Sequence, residues 1–233
     1  MTRAEGAESL PQGAEKVRAV RSMFDAIAPR YDLLNRILTF GMDMGWRRLT
    51  VAALGLPRGS LVIDVACGTG DLCRLLADAG YWAVGIDNSA GMLSNAHTDV
   101  PLLLADALAI PLRTAAADGL TCGFALRNVS DLGLLFEEMA RVVRPGGRIA
   151  LLEVAEPDSK ILKLGHHIYF HRVVPLIGGL LSDRRAYRYL PESTAYLPPP
   201  ATLVGMLWDR GFTDVGRRLL GMGAAQLIAA TRA

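Results

Sequence analysis

The sequence predicts an open α/β fold, in which helices cover both faces of a mostly parallel, seven-stranded sheet. Between residues 60 and 155, short apolar runs alternate with segments of helical period, giving five strand candidates. Continuous apolar strands separated by helices are typical of parallel sheets buried on both faces. Two further strand candidates follow residue 201. An antiparallel pair there would complete the sheet of seven strands.

The chain of 233 residues is long enough for one well-cored domain with additions. We interpret it as a single domain with four parts: an N-terminal helical cap over residues 13–55, a core over 60–155, an insertion over 156–200, and a helix with two strands over 201–233. The insertion does not follow the strand–helix alternation. We expect it to form a helical lid over the ligand edge of the sheet.

Apolar periodicity and turn residues set the predicted elements. In the first helix, Val17, Val20, Phe24 and Ile27 recur at steps of three and four residues, and Pro29 ends it. The remaining helices are predicted at Asp32–Leu38, Gly45–Leu54, Asp71–Ala79, Ser89–Ala96, Asp131–Val143, Ile161–Leu181 and Ala201–Arg210, and the strands at Leu61–Val65, Trp82–Asp87, Leu102–Leu104, Gly119–Phe124, Arg148–Val154, Val215–Leu220 and Ala224–Thr231.

Composition excludes several classes of function. The formal net charge is +2 and aromatic residues make up 6% of the chain, so neither a nucleic-acid footprint nor a stacking platform is expected. The three cysteines (Cys67, Cys73 and Cys122) have no CxxC spacing, which favours a reducing, cytoplasmic compartment. No secretory signal is expected in residues 1–12. The apolar stretch Val173–Leu181 is far shorter than the ~20 residues of a membrane span.

The central motif is the segment Asp64–Asp71, which follows a strand and opens a helix. Gly68 and Gly70 allow a tight turn with bare peptide towards a ligand. Three interpretations stay open: a turn without a ligand, a dinucleotide fingerprint, and a site for S-adenosylmethionine. The fingerprint requires a third glycine, but Cys73 stands at that position. S-adenosylmethionine has no phosphate and carries two cationic groups, so an acidic turn suits it better. We therefore predict cofactor contacts from Asp64, Gly68, Thr69 and Gly70.

Two further acidic residues end the next strands. The carboxylate of Asp87 can accept both ribose hydroxyls, the role that an acidic residue plays about 20 residues after a nucleotide-binding turn. Asp106, followed by Ala107, ends the third strand, where a carboxylate can accept the adenine amino group. The alternatives are a helix cap for Asp87 and an ordinary loop position for Asp106. Three acidic strand ends in succession favour the cofactor site.

With these motifs the chain resembles the UbiE/COQ5/MenG family, the C-methyltransferases of ubiquinone and menaquinone synthesis. The resemblance implies a Rossmann-like class I methyltransferase that uses S-adenosylmethionine to methylate the ring of a prenylated quinol. It runs from about Phe24 to Phe212 and includes the segments Tyr31–Arg47, Phe124–Asp131, Arg141–Glu153 and Tyr187–Ser193. The first two of these are the most specific to the family.

The chain also departs from the family pattern. Gly123 stands where the family commonly has a serine near the cofactor, and the tail 219–226 diverges. Both departures modestly favour a different acceptor, another small aromatic or polyketide metabolite. Two further functions stay open: a nicotinamide oxidoreductase and a non-catalytic binding module. The remaining departures are Leu34 for Met, Thr39 for Ser, Asp43 for His and Ala155 for Ser.

The resemblance places Arg127 and Asn128 beside the transferred methyl group, with Tyr31 contributed by the cap. Arginine stays charged and cannot act as a base directly. Our hypothesis is that Arg127 holds a water or the forming phenolate while Asn128 and Tyr31 orient it. The alternative for Arg127 is a salt bridge to Asp131.

The insertion combines an apolar stretch with basic residues and with His166, His167 and His171. No carboxylate lies at ligand spacing from these histidines, so we predict no metal site. A basic, apolar helix suits either an interfacial position on anionic lipid or a plain lid, and the sequence leaves both open. Assembly as a homodimer is also open.

Overall fold

The computed structural model describes residues 12–157 and 193–233, together with positions 159, 162, 163, 165 and 169. A sheet of seven strands lies within these residues, and the prediction of a mixed α/β sheet with an antiparallel end is confirmed. The strands are β1 Leu61–Val65, β2 Trp82–Asp87, β3 Leu102–Leu104, β4 Ala117–Gly123, β5 Val143–Val154, β6 Phe212–Leu220 and β7 Ala225–Arg232.

The strand order is β3-β2-β1-β4-β5-β7-β6. Neighbouring strands from β3 to β5 pair in parallel, and β7 is antiparallel to both β5 and β6. The helices of the described residues are α1 Gly13–Ile27, α2 Tyr31–Leu38, α3 Met42–Leu54, α4 Asp71–Asp78, α5 Ala90–Ser94, α6 Leu132–Val142 and α7 Pro200–Trp208.

The hydrophobic core forms two layers, one on each face of the sheet. Because successive strand residues point to opposite faces, Ile63 belongs to the layer that contains Phe136 of α6. The adjacent Val62 belongs to the layer that contains Leu54 of α3 and Leu76 of α4. All of these side chains are fully buried. The two layers hold β1 rigidly in the middle of the sheet.

Strand β5 begins earlier than its sequence predicts. The Pro145–Gly147 segment was expected to separate α6 from a strand at Arg148, but Val143 already pairs with Ala117. The register shifts between Ala117 and Gly119, and Gly146 adopts a φ of +76°. The turn residues are therefore accommodated inside the strand as an irregularity of the ladder. Helix α3 also begins three residues earlier than predicted.

The predicted helix Ile161–Leu181 lies almost entirely outside the described residues, and so do His166, His167 and His171. No helix in the part of the chain that the structure describes is both long and apolar enough to cross a bilayer. The same residues contain no group of three or more metal-ligating side chains.

Candidate functional site

A pocket of about 800 Å³, counted to its open mouth, lies at the carboxyl ends of β1 to β4. This is the edge at which open parallel sheets bind ligands. Six of the predicted site residues line it: Tyr31, Gly68, Asp87, Asp106, Ala107 and Asn128.

Asp87 joins two of the strand ends that form the pocket. One carboxylate oxygen accepts the Gly68 N–H at 2.8 Å and the other accepts the Ser89 N–H at 2.8 Å. Burial raises the pKa of Asp87 above its ordinary value, and the backbone donors act in the opposite direction. The predicted alternative, a helix cap, belongs to Ser89, whose hydroxyl accepts the Met92 N–H of α5. Asp87 thus fixes the glycine turn and still faces the pocket.

The backbone of the pocket wall is strained at two strand ends. Ala66 follows β1 with a φ of +56°, and Phe124 follows β4 with a φ of +59°. Both line the pocket. Residues with a side chain rarely adopt this region, and such positions cluster at functional sites.

Three predicted cofactor residues lie outside the pocket wall and instead shape the turn. Asp64 is fully buried, accepts the Thr121 hydroxyl at 2.7 Å and contacts the Cys73 thiol at 3.5 Å. Burial raises the pKa of Asp64 to about 7. Thr69 donates its hydroxyl to Asp32 at 2.6 Å. Gly70 is the N-cap residue that precedes α4, and it has a φ of +86°.

The acidic character predicted for the turn is balanced by arginines. Asp71 forms ion pairs with Arg36 of α2 at 2.6 Å, with Arg74 at 2.8 Å and with Arg47 of α3 at 3.5 Å. Arg36 also pairs with Asp43. Burial alone would raise the pKa of Asp71, but the nearby arginines, Arg47 most of all, lower it below its usual value. The charge of Asp71 is therefore compensated within the protein, and the preference of the turn for a cationic ligand stays a prediction.

Sequence reasoning missed this cluster, although two of its arginines stand inside the Tyr31–Arg47 segment that carries the family resemblance. Ion pairs between residues 35 positions apart leave no local pattern. The only signal was the presence of these arginines in the segment.

Arg127 lies behind the pocket rather than in its wall. Its side chain pairs with Glu153 of β5 and donates to the Ser193 hydroxyl at 3.1 Å and to the Phe124 carbonyl at 2.9 Å. The predicted alternative of a salt bridge was right in kind, but the partner Asp131 was wrong. Asp131 instead caps α6 by accepting the Leu134 N–H, because it stands one residue before the helix.

Asn128 and Tyr31 both line the pocket and belong to different elements of the fold. Asn128 stands in the short segment after β4 and donates to the Phe124 carbonyl at 3.4 Å. Tyr31 opens α2 and packs edge-on against Phe24 of α1 at 5.9 Å between ring centres. Among the described residues, the Tyr31 hydroxyl has no hydrogen-bond partner, so it can bind a ligand.

Helix α1 forms one wall of the pocket and is anchored at both ends. Near its start, the Lys16 ammonium donates to the Val129 carbonyl at 2.8 Å and lies 3.7 Å from the centre of the Tyr196 ring. Near its end, Asp25 accepts the Ser89 hydroxyl and the Gly91 N–H. The helix can therefore shield a ligand from water.

Two solved structures with the same architecture are methyltransferases. A SAM-dependent methyltransferase from Thermotoga maritima matches with a TM-score of 0.65 at 17% identity, covering 92% of this chain and 100% of that one. The magnesium protoporphyrin IX methyltransferase of Synechocystis PCC 6803, solved with bound SAM, matches with a TM-score of 0.62 at 17% identity, over 96% and 100%. The fold is thus that of the Rossmann-like class I methyltransferases, which use S-adenosylmethionine.

Sequence similarity identifies the family within this class to which the chain belongs. The model of the ubiE/COQ5 methyltransferase family matches residues 12–232. The demethylmenaquinone methyltransferase of Roseiflexus castenholzii is 41% identical, over 94% of this chain and 95% of its own. The ubiquinone/menaquinone biosynthesis C-methyltransferase of Syntrophotalea carbinolica is 39% identical, over 91% and 93%. This chain belongs to the ubiE/COQ5 methyltransferase family, as predicted, and it is a SAM-dependent methyltransferase.

The anchoring of α1 should depend on pH through Lys16. Burial lowers the pKa of Lys16 to about 8 from the usual 10.5, so in this window the unfolded chain binds more protons than the folded one. The contribution of Lys16 to the free energy of unfolding therefore increases as pH rises from about 8 to 10.5. Denaturant titrations measure the free energy of unfolding of both proteins. The value for wild type minus the value for Lys16→Met should increase over this pH range.

The control is Ser22→Ala, an exposed, uncharged position of the same helix, whose difference from wild type should not change with pH. If the free energy of unfolding of wild type minus that of Lys16→Met falls with rising pH, the lowered pKa of Lys16 is contradicted.

Proposed function

We propose that this protein transfers the methyl group of S-adenosylmethionine to a ring carbon of a prenylated quinol, of the demethylmenaquinol or ubiquinone-precursor type. The similarity to relatives that carry these names, at about 40% identity over more than 90% of both chains, supports the substrate class. The observation that carries the proposal is a single pocket in which acidic strand ends and an apolar cap face each other.

The order of the strands places the parts of the cofactor. Because β3, β2, β1 and β4 are neighbours in that order, their carboxyl ends form a row. Asp106 at the β3 end would accept the adenine amino group, and Asp87 at the β2 end would accept the ribose hydroxyls. The turn at Gly68 follows β1. The methionine part then extends towards Gly123 at the β4 end.

The residues of the pocket fit this group. Asp87 uses each oxygen for one backbone N–H, and a carboxylate has about four acceptor sites, so capacity for two hydroxyls is left. The turn at Gly68 offers bare peptide, since a Cβ there would meet nothing within 4 Å. Once bound, S-adenosylmethionine would supply a methyl group on a sulfonium, and in-line attack by the acceptor on that methyl would release the neutral thioether S-adenosylhomocysteine.

The protein contributes positioning and exclusion of water. Holding two reactants at attack distance can supply about 7–11 kcal/mol. Val20 and Phe24 of α1, together with Met92 and Leu108, give the pocket apolar walls. A ring with an apolar tail suits such walls, and their low polarity strengthens the electrostatic contacts with the ligand.

Asn128 and Tyr31 are the proposed groups that orient the hydroxyl of the acceptor ring. The hydroxyl must lose a proton to enrich the neighbouring carbon, and a base contributes about 10²–10⁴-fold. Arg127 is proposed as a positioning residue instead, because its guanidinium bonds to Glu153 and to the Phe124 carbonyl. It fixes the strained turn that carries Asn128.

The purified protein should methylate a short-chain demethylmenaquinol, and mass spectrometry should detect a quinone heavier by one methylene group.

In Asp87→Asn one carboxylate oxygen is replaced by an NH₂ group, which faces a backbone N–H and cannot accept from it. Calorimetry should therefore show the Kd for S-adenosylmethionine rising by at least about tenfold. Asp99→Asn, at an exposed loop position, is the matched control. Folded wild-type protein that binds the cofactor but forms no such product would contradict the quinol acceptor.

Removal of the Tyr31 hydroxyl should separate catalysis from cofactor binding. Loss of one hydrogen bond to the acceptor in Tyr31→Phe should lower kcat by about 3–10-fold, while the Kd for S-adenosylmethionine stays constant. Stopped assays and calorimetry measure the two quantities. Tyr81→Phe, whose hydroxyl donates to the Leu56 carbonyl outside the pocket, should retain full kcat. Equal kcat values for both variants would remove Tyr31 from the mechanism.

We further propose that the protein contacts a membrane surface through α2. Leu33 and Ile37 are four residues apart, which places them on one side of α2, and Phe40 lies two residues beyond the end of the helix. The three side chains are 60%, 38% and 77% exposed. Tyr169, which belongs to a segment of basic sequence, donates to the Leu38 carbonyl at 2.6 Å and therefore lies beside this apolar face. A prenylated substrate resides in the bilayer, and lipid is the occupant that fits both features.

Flotation with anionic phospholipid vesicles tests this contact. The wild-type protein should float with the vesicles at low salt. The double variant Leu33→Ser/Phe40→Ser should lose most of its vesicle binding, because it removes the apolar side chains that would be buried in the lipid. Trp208→Ser removes a side chain of similar exposure (60%) on α7 and should float like wild type. Flotation that is absent from wild type, or lost equally in both variants, would contradict the proposal.

A further inference from the structure

We infer that Arg47 binds the carboxylate at the methionine end of the cofactor, and that Gly123 leaves the space for this contact. The inference rests on the proposed function, and it adds a subsite to it. It depends on three observations: the buried donor of Arg47 that lacks an acceptor, the position of Arg47 beside the pocket, and the direction of the cofactor along the strand ends.

The guanidinium of Arg47 is buried and has no hydrogen-bond partner among the described residues. Arg47 is 6% exposed, and its Nε is a buried donor without an acceptor. The two nearest acidic oxygens are 3.6 Å away on Asp43 and 3.5 Å away on Asp71. Arg36 already donates to both of these oxygens. Buried polar groups are almost always satisfied in folded proteins, and these two long ion pairs leave the guanidinium with hydrogen-bonding capacity for a further acceptor.

The guanidinium adjoins the pocket at the end of β4. A Cβ built on Gly123 would lie 3.5 Å from Nη1 of Arg47 and 2.8 Å from Cδ1 of Leu72. The Cζ atom of Arg47 lies 5.4 Å from the centre of the Phe124 ring. Gly123 and Phe124 both line the pocket. A side chain at position 123 would therefore collide with Leu72 and narrow the gap beside the guanidinium.

The direction of the cofactor brings a carboxylate to this gap. With adenine at the β3 end and ribose at the β2 end, the methionine part passes the Gly68 turn and ends beside β4. Its α-carboxylate is the only anionic group of S-adenosylmethionine. A planar guanidinium matches a carboxylate with two parallel hydrogen bonds. In this chain the guanidinium takes the polar contact for which Gly123 has no side chain.

The test compares two ligands that differ only in this carboxylate. Calorimetry with S-adenosylmethionine and with its decarboxylated analogue gives two Kd values for each protein. In Arg47→Met the Kd for S-adenosylmethionine should rise by roughly 10–100-fold, because a charge-assisted pair is lost. The Kd for the decarboxylated analogue should not change. A merely structural role of Arg47 would weaken both ligands alike.

Arg47→Lys is the second variant, because it keeps the charge of the Asp43–Asp71 cluster and is expected to fold. It loses the paired geometry, so it should show a smaller rise for S-adenosylmethionine alone. Equal weakening of both ligands in the variants, or unchanged binding of S-adenosylmethionine, overturns the inference and leaves the proposed function intact. Wild-type protein that binds neither ligand would contradict the proposed function itself.

Discussion

The pocket depends on the ion pairs of Asp71. This carboxylate stands at the first position of α4, where a negative charge also suits the helix dipole, and it binds Arg36 of α2 and Arg74 of α4. The side chain is almost fully buried. Removal of one partner from a buried ion pair typically costs about 3–5 kcal/mol. Because the cap contributes Tyr31 to the wall and the core contributes Gly68, this cluster holds the two halves of the site together.

Within the core half, the site is rigid before any ligand binds. Asp87 ties the turn after β1 to the start of α5, and the strained residues Ala66 and Phe124 follow the two central strands. Strain of this kind persists only where the surrounding structure fixes it. The flanking strands supply that constraint, since β1 and β4 are paired along their length. Groups on such elements are placed more accurately than groups on loops.

Sequence patterns predicted the parts of this structure that depend on local order. The bounds of β1 and β2, the acidic strand ends at Asp87 and Asp106, and the family all follow from periodicity and motifs. Contacts between distant segments were not predictable in this way, as the pairing of Arg127 with Glu153 shows. The pattern also gave no indication that Asp71 is balanced by arginines, because a charge in a motif does not reveal its partners. The roles of the individual site residues stay predictions.

The missing third glycine has a structural counterpart elsewhere in the chain. In a dinucleotide fingerprint, that glycine lets the helix pack closely on the sheet. Here Cys73 of α4 occupies the position, and β2 carries the glycine instead: a Cβ on Gly85 would lie 2.8 Å from the Cys73 sulfur and 2.8 Å from the Cys67 sulfur. Close packing of helix on strand is therefore kept, with the small residue moved to the strand. The turn keeps its shape without the fingerprint, and a search confined to the loop cannot detect this exchange.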